Sequence, residues 1–316
     1  MHIPVLVREV VEHLGVCPGG IYLDGTLGGG NHARAILAAA GPGAKIIGID
    51  RDAGALERAR ANLGPLAAQV HFIHGTFSNM ISLVQNSGHR EFDGVLLDLG
   101  FSSDQLDDSA RGLSFMADGP LDMRLDQSQP RTAAQVVNEM PESELADLIY
   151  KFGDEPASRR IARAIVAERS GTPFRSTLHL ADVIARAKGG RRGARIHPAT
   201  QTFQAIRIFV NDEFEQARAG CEAAIRLVKG GGRVAVITFH SGEDRIVKQC
   251  FARHVGRDVS LPQGGSRWEG DRPRVAWIVK KPLTAGEDEA RENPRARSAK
   301  LRVIERLQDR AKTNFP

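Results

Sequence analysis

Ile21-Tyr22-Leu23-Asp24-Gly25-Thr26-Leu27-Gly28-Gly29-Gly30-Asn31-His32-Ala33 is the stretch whose reading decides the fold. A short apolar run ends in an acid, turns through glycines and enters an alanine-rich segment of helical character. Strand, glycine turn and helix N-terminus in that order make a cofactor-binding loop. Gly28, Gly29 and Gly30 let the backbone approach a ligand that a Cβ would block. A second apolar run, Lys45-Ile46-Ile47-Gly48-Ile49-Asp50, also closes on an acid. An acid there is placed to accept hydrogen bonds from ribose hydroxyls.

Outward from this loop, strand and helix patterns alternate. Apolar runs predict strands at 21–24, 45–50, 70–74 and 94–99, and helical spacing predicts helices near 32–40, 53–63 and 78–86. That alternation implies βαβ units and a parallel sheet. Val7, Val10, Val11 and Leu14 predict a lead-in helix before the first strand. After Leu99 the alternation stops. Residues 101–130 are rich in Ser, Asp, Gly and Pro, a length that suggests a functional lid. Only helical patterns follow from Thr132 to Val210. A helix is expected from about Asp212 to Val228, ended in a left-handed turn by Gly230-Gly231-Gly232. Next come a strand from Arg233 to Phe239, a helix from Ser241 (as N-cap) to Val255, and strands at Val275–Lys280 and Lys300–Leu307. The economical reading is an α/β domain built from 1–105 and 211–316, with a helical insertion at 106–210.

The 316 residues, 41% hydrophobic and 26% charged, suit a soluble globular protein. No apolar run approaches the roughly 18 residues of a membrane span, and the N-terminus lacks the pattern of a secretory signal. Cys17, Cys221 and Cys250 are widely spaced and give neither a disulfide framework nor a metal motif. Each reads as a small core residue; with no disulfide framework a reducing cytoplasm is the expected location, and no membrane partner is expected. The net charge of +5 is unevenly spread. Between Glu155 and Val210 eleven Arg or Lys face three acids, Glu155, Glu168 and Asp182. Such a concentration suggests a face for a polyanion, against the bland reading of a solvated arginine-rich surface.

The glycine loop fits two templates. Gly28-x-Gly30-x-x-Ala33, with Asp50 22 residues beyond Gly28, satisfies a dinucleotide fingerprint and admits an NAD(P)-dependent oxidoreductase. Asp24 favours S-adenosyl-L-methionine: an acid there would attract the donor's ammonium and sulfonium and repel a pyrophosphate. Phe77, after the third strand, could pack on an adenine face or simply fill the core. Asp98 ends the fourth strand and would share a cleft with Asp24 and Asp50. His240, at a later strand end, could orient substrate or shuttle a proton, or be a satisfied structural histidine. Gln105 could hydrogen-bond a cofactor or a base edge.

Seven motifs in order carry a resemblance. They are His2-Ile3-Pro4-Val5-Leu6; Asp24-Gly25-Thr26; Asp98-Leu99-Gly100-Phe101-Ser102-Ser103-Asp104-Gln105-Leu106-Asp107; Asp118-Gly119-Pro120-Leu121-Asp122-Met123-Arg124; His197-Pro198-Ala199-Thr200-Gln201-Thr202-Phe203-Gln204-Ala205; Phe239-His240-Ser241; and Asn293-Pro294-Arg295-Ala296-Arg297-Ser298-Ala299-Lys300-Leu301-Arg302. Together the chain resembles the RsmH (MraW) family of 16S ribosomal RNA cytosine-N4-methyltransferases. The resemblance implies a class I, Rossmann-like methyltransferase sheet with an inserted all-helical domain for substrate recognition. It implies S-adenosyl-L-methionine as donor, held at positions matching Gly30, Asn31, His32, Asp50, Phe77, Asp98 and Gln105. The implied partner is 16S rRNA or the small ribosomal subunit. Asp98 and His240 are the candidate catalytic residues, no metal is assigned, and both a monomer and a homodimer are compatible with the sequence. Two positions depart from the family pattern: Asn31 stands where Gly is usual, and Gly242 where Leu is usual. Arg159, Arg160, Arg191, Arg192 and Arg195 are the expected RNA clamp, extended by Arg295, Arg297 and Lys300. Other readings are a methyltransferase acting on another nucleic acid or on protein, and a non-enzymatic RNA-binding or assembly factor.

Overall fold

The computed structural model describes residues 4–100, 108–190, 196–261, 263–269 and 273–308. They divide into two compact units, one of residues 1–100 and 214–316, the other of residues 101–213.

In the first unit the chain enters through helix α1 (Val7–His13) and then alternates: β1 (Ile21–Asp24), α2 (Asn31–Ala40), β2 (Lys45–Asp50), α3 (Ala53–Leu63), β3 (Val70–His74), α4 (Met80–Leu83) and β4 (Phe92–Asp98). The single helix expected at 78–86 is instead a short α-turn, α4, between two 3-10 turns, Phe77–Asn79 and Val84–Ser87. Ile46, Ile47, Ile49, Val95, Leu96 and Leu97 are all buried, as strands covered on both faces must be.

The second unit is helical: α5 (Ala133–Glu139), α6 (Glu142–Gly153), α7 (Ser158–Arg169), α8 (Thr177–Ala187) and α9 (Thr200–Val210). Its core is independent, centred on residues such as Leu145, Ile149, Ile161, Ile184 and Ile206. The described part of the long polar segment, 108–130, is anchored to the helical unit. Leu113, Leu121, Met123 and Leu125 are buried in that same core. Asn211 fixes the segment, donating from Nδ2 to the Met123 carbonyl and accepting the Leu125 N–H on Oδ1, both at 2.8 Å.

The chain returns to the first unit through α10 (Glu213–Leu227), β5 (Val228–Thr238), α11 (Ser241–Val255), a hairpin of β6 (Arg257–Ser260) and β7 (Ser266–Glu269), β8 (Val275–Trp277), α12 (Glu287–Glu292) and β9 (Lys300–Arg306). Gly230, Gly231 and Gly232 do not terminate a helix as expected. They lie within β5, where pairing with β4 shifts register between Phe92 and Gly94, so the extra residues are taken up as a bulge. Ser241 is not the cap of α11; His240 is. The strand expected over Val275–Lys280 stops at Trp277.

The main sheet has the order β3-β2-β1-β4-β5-β9-β8. β1 to β5 are parallel, and β9 runs antiparallel to β5 and β8. This is the doubly wound, Rossmann-like arrangement that the resemblance implies. The strand order reverses between β1 and β4, and a ligand crevice belongs at the carboxyl ends there. Among the described residues no helix is long and apolar enough to cross a membrane. Cys221 and Cys250 are buried, but Cys17 is exposed in the turn before β1, contrary to its reading as a core residue.

Candidate functional site

Strand register gathers the acids. Asp24 ends β1 level with Gly48 of β2 and Leu96 of β4. Asp50 and Asp98 stand two residues further along those neighbouring strands. With strands about 4.8 Å apart, the three carboxylates surround the switch point.

Asp24 is only 1% exposed. Burial pushes its carboxyl up to about 7; nearby His32 and the Thr26 N–H oppose the rise, while the Asp98 and Asp50 charges add to it. The Thr26 N–H donates to Asp24 Oδ1 at 3.1 Å. Asp50 braces the glycine turn. It accepts the Gly28 N–H on Oδ2 at 2.8 Å and the Asp52 N–H on Oδ1 at 2.9 Å. Burial nevertheless raises its pKa. Each oxygen keeps a second lone pair for a ribose hydroxyl. Sequence reasoning assigned Asp50 to the ligand and missed this brace.

Gly30 caps α2 in the left-handed region, with φ 77°. A Cβ there would press on Leu63 and Ala59 at 3.2–3.3 Å. The left-handed residue is therefore Gly30. Asn31 is the first residue of α2, so its departure from glycine places no demand on backbone conformation. Its N–H points out of the helix start, ahead of the i→i−4 ladder. A positive helix end, a glycine turn left-handed at Gly28 and Gly30 and a buried carboxylate raised by desolvation fit the methyl donor, whose cationic groups would offset the Asp24 charge.

His32 is buried, with Nε2 2.9 Å from the Val5 carbonyl oxygen. A carbonyl only accepts, so Nε2 carries the proton and Nδ1 faces Asp98 Oδ2 at 3.8 Å. This links the N-terminal motif to the acids, a contact no local pattern could reveal. Asp98 is itself held from three sides. Its N–H donates to Thr26 Oγ1 at 2.6 Å, its Oδ1 accepts the Gly100 N–H at 3.2 Å, and its Oδ2 faces His32. Phe77 is half-buried and packs against the core that holds Leu97; its ring covers Gly220 so closely that a Cβ there would overlap it. Gln105 lies outside the described residues.

His240 follows β5, next to β4. Its Nδ1 accepts the Glu243 N–H at 3.4 Å, and the Glu243 carboxylate accepts the Phe239 N–H at 2.8 Å. The His240 ring thus caps the helix, while Glu243 reaches back past the cap to the N–H of the preceding residue, Phe239. The histidine lone pair is spent on the helix, and Nε2–H lies 3.2 Å from Glu243 Oε1, poorly aligned for a hydrogen bond. In this state His240 donates rather than acts as a base. The last motif supports it from behind. Arg302 pairs with Asp244 at 2.6 Å, Lys300 with the same acid at 3.4 Å, and the Arg295 guanidinium lies 5.7 Å from the Phe239 ring centroid. Arg295 and Lys300 are thus engaged within the fold.

The Gly242 departure has a local explanation. A Cβ at Gly242 would sit 2.5 Å from Phe214 Cζ. The Phe214 ring, 5.9 Å from that of His240, fills the room a larger residue 242 would need. Gly242→Leu is expected to cost about 1–3 kcal/mol of stability by overpacking. Phe214→Ala in the same chain should recover much of that loss. Thermal melting of the two single variants and the double variant measures the coupling; additive losses would reject this explanation.

A model of the MraW methylase family matches residues 1–307. The chain belongs to that family. It is 45% identical over 306 residues to a protein of Carboxydothermus hydrogenoformans named ribosomal RNA small subunit methyltransferase H, covering 97% of this chain and 98% of the relative. A protein of the same name from Geobacter sulfurreducens is 48% identical over 308 residues, covering 97% and 99%. The chain is thus a methyltransferase dependent on S-adenosyl-L-methionine, with ribosomal RNA as its class of substrate. The dinucleotide reading of Gly28-x-Gly30-x-x-Ala33 is not favoured.

Proposed function

We propose that the chain methylates N4 of a cytidine in the decoding centre of 16S rRNA, as free RNA or in the small ribosomal subunit, in the cytoplasm. The observation that carries the reading is the set of three acids, Asp24, Asp50 and Asp98, around a glycine turn at the β1/β4 switch point. The motif set and the names of the relatives support the choice of substrate.

S-adenosyl-L-methionine supplies an already activated methyl group, so the protein's contribution is mainly positioning. Asp50 and the turn that it braces bind the ribose side, Gly30, Asn31 and His32 line the helix start, Phe77 flanks the adenine, and Asp24 faces the cationic end. The cytosine amine is a weak nucleophile because its lone pair is delocalised into the ring. Asp98 Oδ2, the oxygen not committed to the Gly100 turn, accepts an N4 hydrogen and localises that lone pair. His240, with Nε2 buried beside Glu243, serves as a positioning residue at the start of α11. The target base must leave its stack to reach the methyl group.

The unit of residues 101–213 is the proposed RNA clamp. Arg159, Arg160 and Arg163 are exposed on α7. Arg191, Arg192 and Arg195 lie outside the described residues. Replacing Arg159, Arg160 and Arg163 by alanine should weaken RNA binding at low salt. The log–log salt dependence should flatten by about one for each phosphate no longer neutralised. Binding titrations across a salt series measure this; an unchanged slope would remove α7 from the clamp.

The deciding experiment is labelled methyl transfer to small-subunit particles, and to their naked RNA, from cells lacking the enzyme, followed by mapping. One methyl group on N4 of a single decoding-centre cytidine is expected. A label elsewhere, or on protein, would reject the reading.

A further inference from the structure

Helices α10 and α11 bring a second group of chemically capable side chains together, remote from the acids at the strand ends. Cys250 lies nine residues along α11 from Ser241, about 14 Å at 1.5 Å per residue. His254 follows one turn later on the same face. Glu222 of α10 reaches both. His254 Nε2 is 2.8 Å from Glu222 Oε2, and Cys250 Sγ is 3.6 Å from Glu222 Oε1. The three donor atoms lie within 4.8 Å of one another. Ligand atoms of a tetrahedral zinc centre, with bonds of about 2.0–2.3 Å, stand about 3.3–3.8 Å apart. Side-chain adjustments of about 1 Å would close the set around a cation.

We propose that Glu222, Cys250 and His254 form a binding site for a zinc-class divalent cation, separate from the methyl-donor site. One thiolate, one imidazole and one carboxylate are a borderline-soft donor set, which selects zinc-like ions over magnesium or calcium. The thiolate and carboxylate together neutralise the divalent charge, which matters where Cys250 and His254 are buried. Glu222 is only partly buried and leaves a path for the ion and for a water in the fourth position.

Cys221 lies beside Cys250 but is not a ligand. On binding, Cys250 releases its S–H proton to solvent. The ring proton of His254 moves from Nε2 to Nδ1, which is buried and without a hydrogen-bond partner among the described residues. Nothing is oxidised or reduced. The ion would staple α10 to α11 and stabilise the fold by mass action. The sequence hid the site because its only local signal is the Cys250-x-x-x-His254 spacing, and the third ligand is 28 residues earlier.

Cobalt(II) titration of the metal-free full-length protein tests the proposal. One equivalent should produce a thiolate-to-cobalt band in the near ultraviolet and the intense visible bands of a tetrahedral centre, both displaced by zinc. Cys250→Ser should abolish the near-ultraviolet band. His254→Gln, which keeps the sulfur and the helix, should weaken binding by at least about tenfold. Cys17→Ser should change neither. Absence of the band, a band that survives Cys250→Ser or disappears with Cys17→Ser, or an unchanged affinity in His254→Gln would overturn the assignment.

Discussion

Replacing Asp98 by alanine is expected to lower methyl transfer by about 10²–10⁴-fold, the usual contribution of a positioned acid–base group. Asp98→Asn separates charge from shape. The amide can still accept the Gly100 N–H, which in the native protein meets Oδ1 at 3.2 Å. It cannot offer a carboxylate Oδ2 to an N4 hydrogen or to His32. If Asp98 acts on the amine, Asp98→Asn should lose turnover with a small change in donor affinity. If it serves the donor alone, affinity should fall and turnover at saturating donor should survive. Calorimetric donor binding beside single-turnover methyl transfer distinguishes the two. Wild-type turnover and affinity in both variants would remove Asp98 from the site.

The strand-end acids were legible because a parallel sheet marks its strands as apolar runs, and Asp24, Asp50 and Asp98 each punctuate one. Register then placed them at one switch point, as the sheet order requires. What stayed hidden was contact across sequence distance. Gly28 meets Asp50 22 residues away, and His32 meets Val5 27 residues back. Neither has a local pattern. Gly230-Gly231-Gly232 misled because three glycines in a row stop a helix as readily as they bulge a strand; pairing of Val228 with Phe92 decides for the strand. Ser241 had the chemistry of an N-cap, but the free Glu243 N–H is met by the ring of His240, one residue before Ser241. The hairpin of β6 and β7 was missed because its strands are polar and pair with each other outside the main sheet.

Asp24→Asn is expected to make the donor-free protein more stable above neutrality and to impair donor binding severely. The Asp24 carboxyl titrates at about 7 in the fold, against 3.8 as the ordinary value. The folded state therefore binds this proton more tightly than the unfolded state. Ionising Asp24 destabilises the fold: its contribution is best below about pH 4, is lost as pH rises toward 7, and is constant above that. The amide of the variant cannot ionise, so the variant should gain on the wild type through that window and hold the gain at higher pH. Asp50, also raised by burial, remains in both proteins, and losing the like charge of Asp24 relieves repulsion between the two, which adds to the variant's gain. The charge that costs stability is the one proposed to meet the donor's ammonium and sulfonium. Donor affinity of the wild type should thus fall by up to about tenfold per pH unit below 7 and level off above it, with a proton released on binding. Asp24→Asn should bind weakly and without that dependence. Melting curves of both proteins from pH 5 to pH 8, and calorimetry in buffers of different ionisation enthalpy, read the two effects independently. Proton uptake on donor binding, or a melting difference that shrinks as pH rises, would contradict the role of Asp24 as the buried counter-charge of the methyl donor.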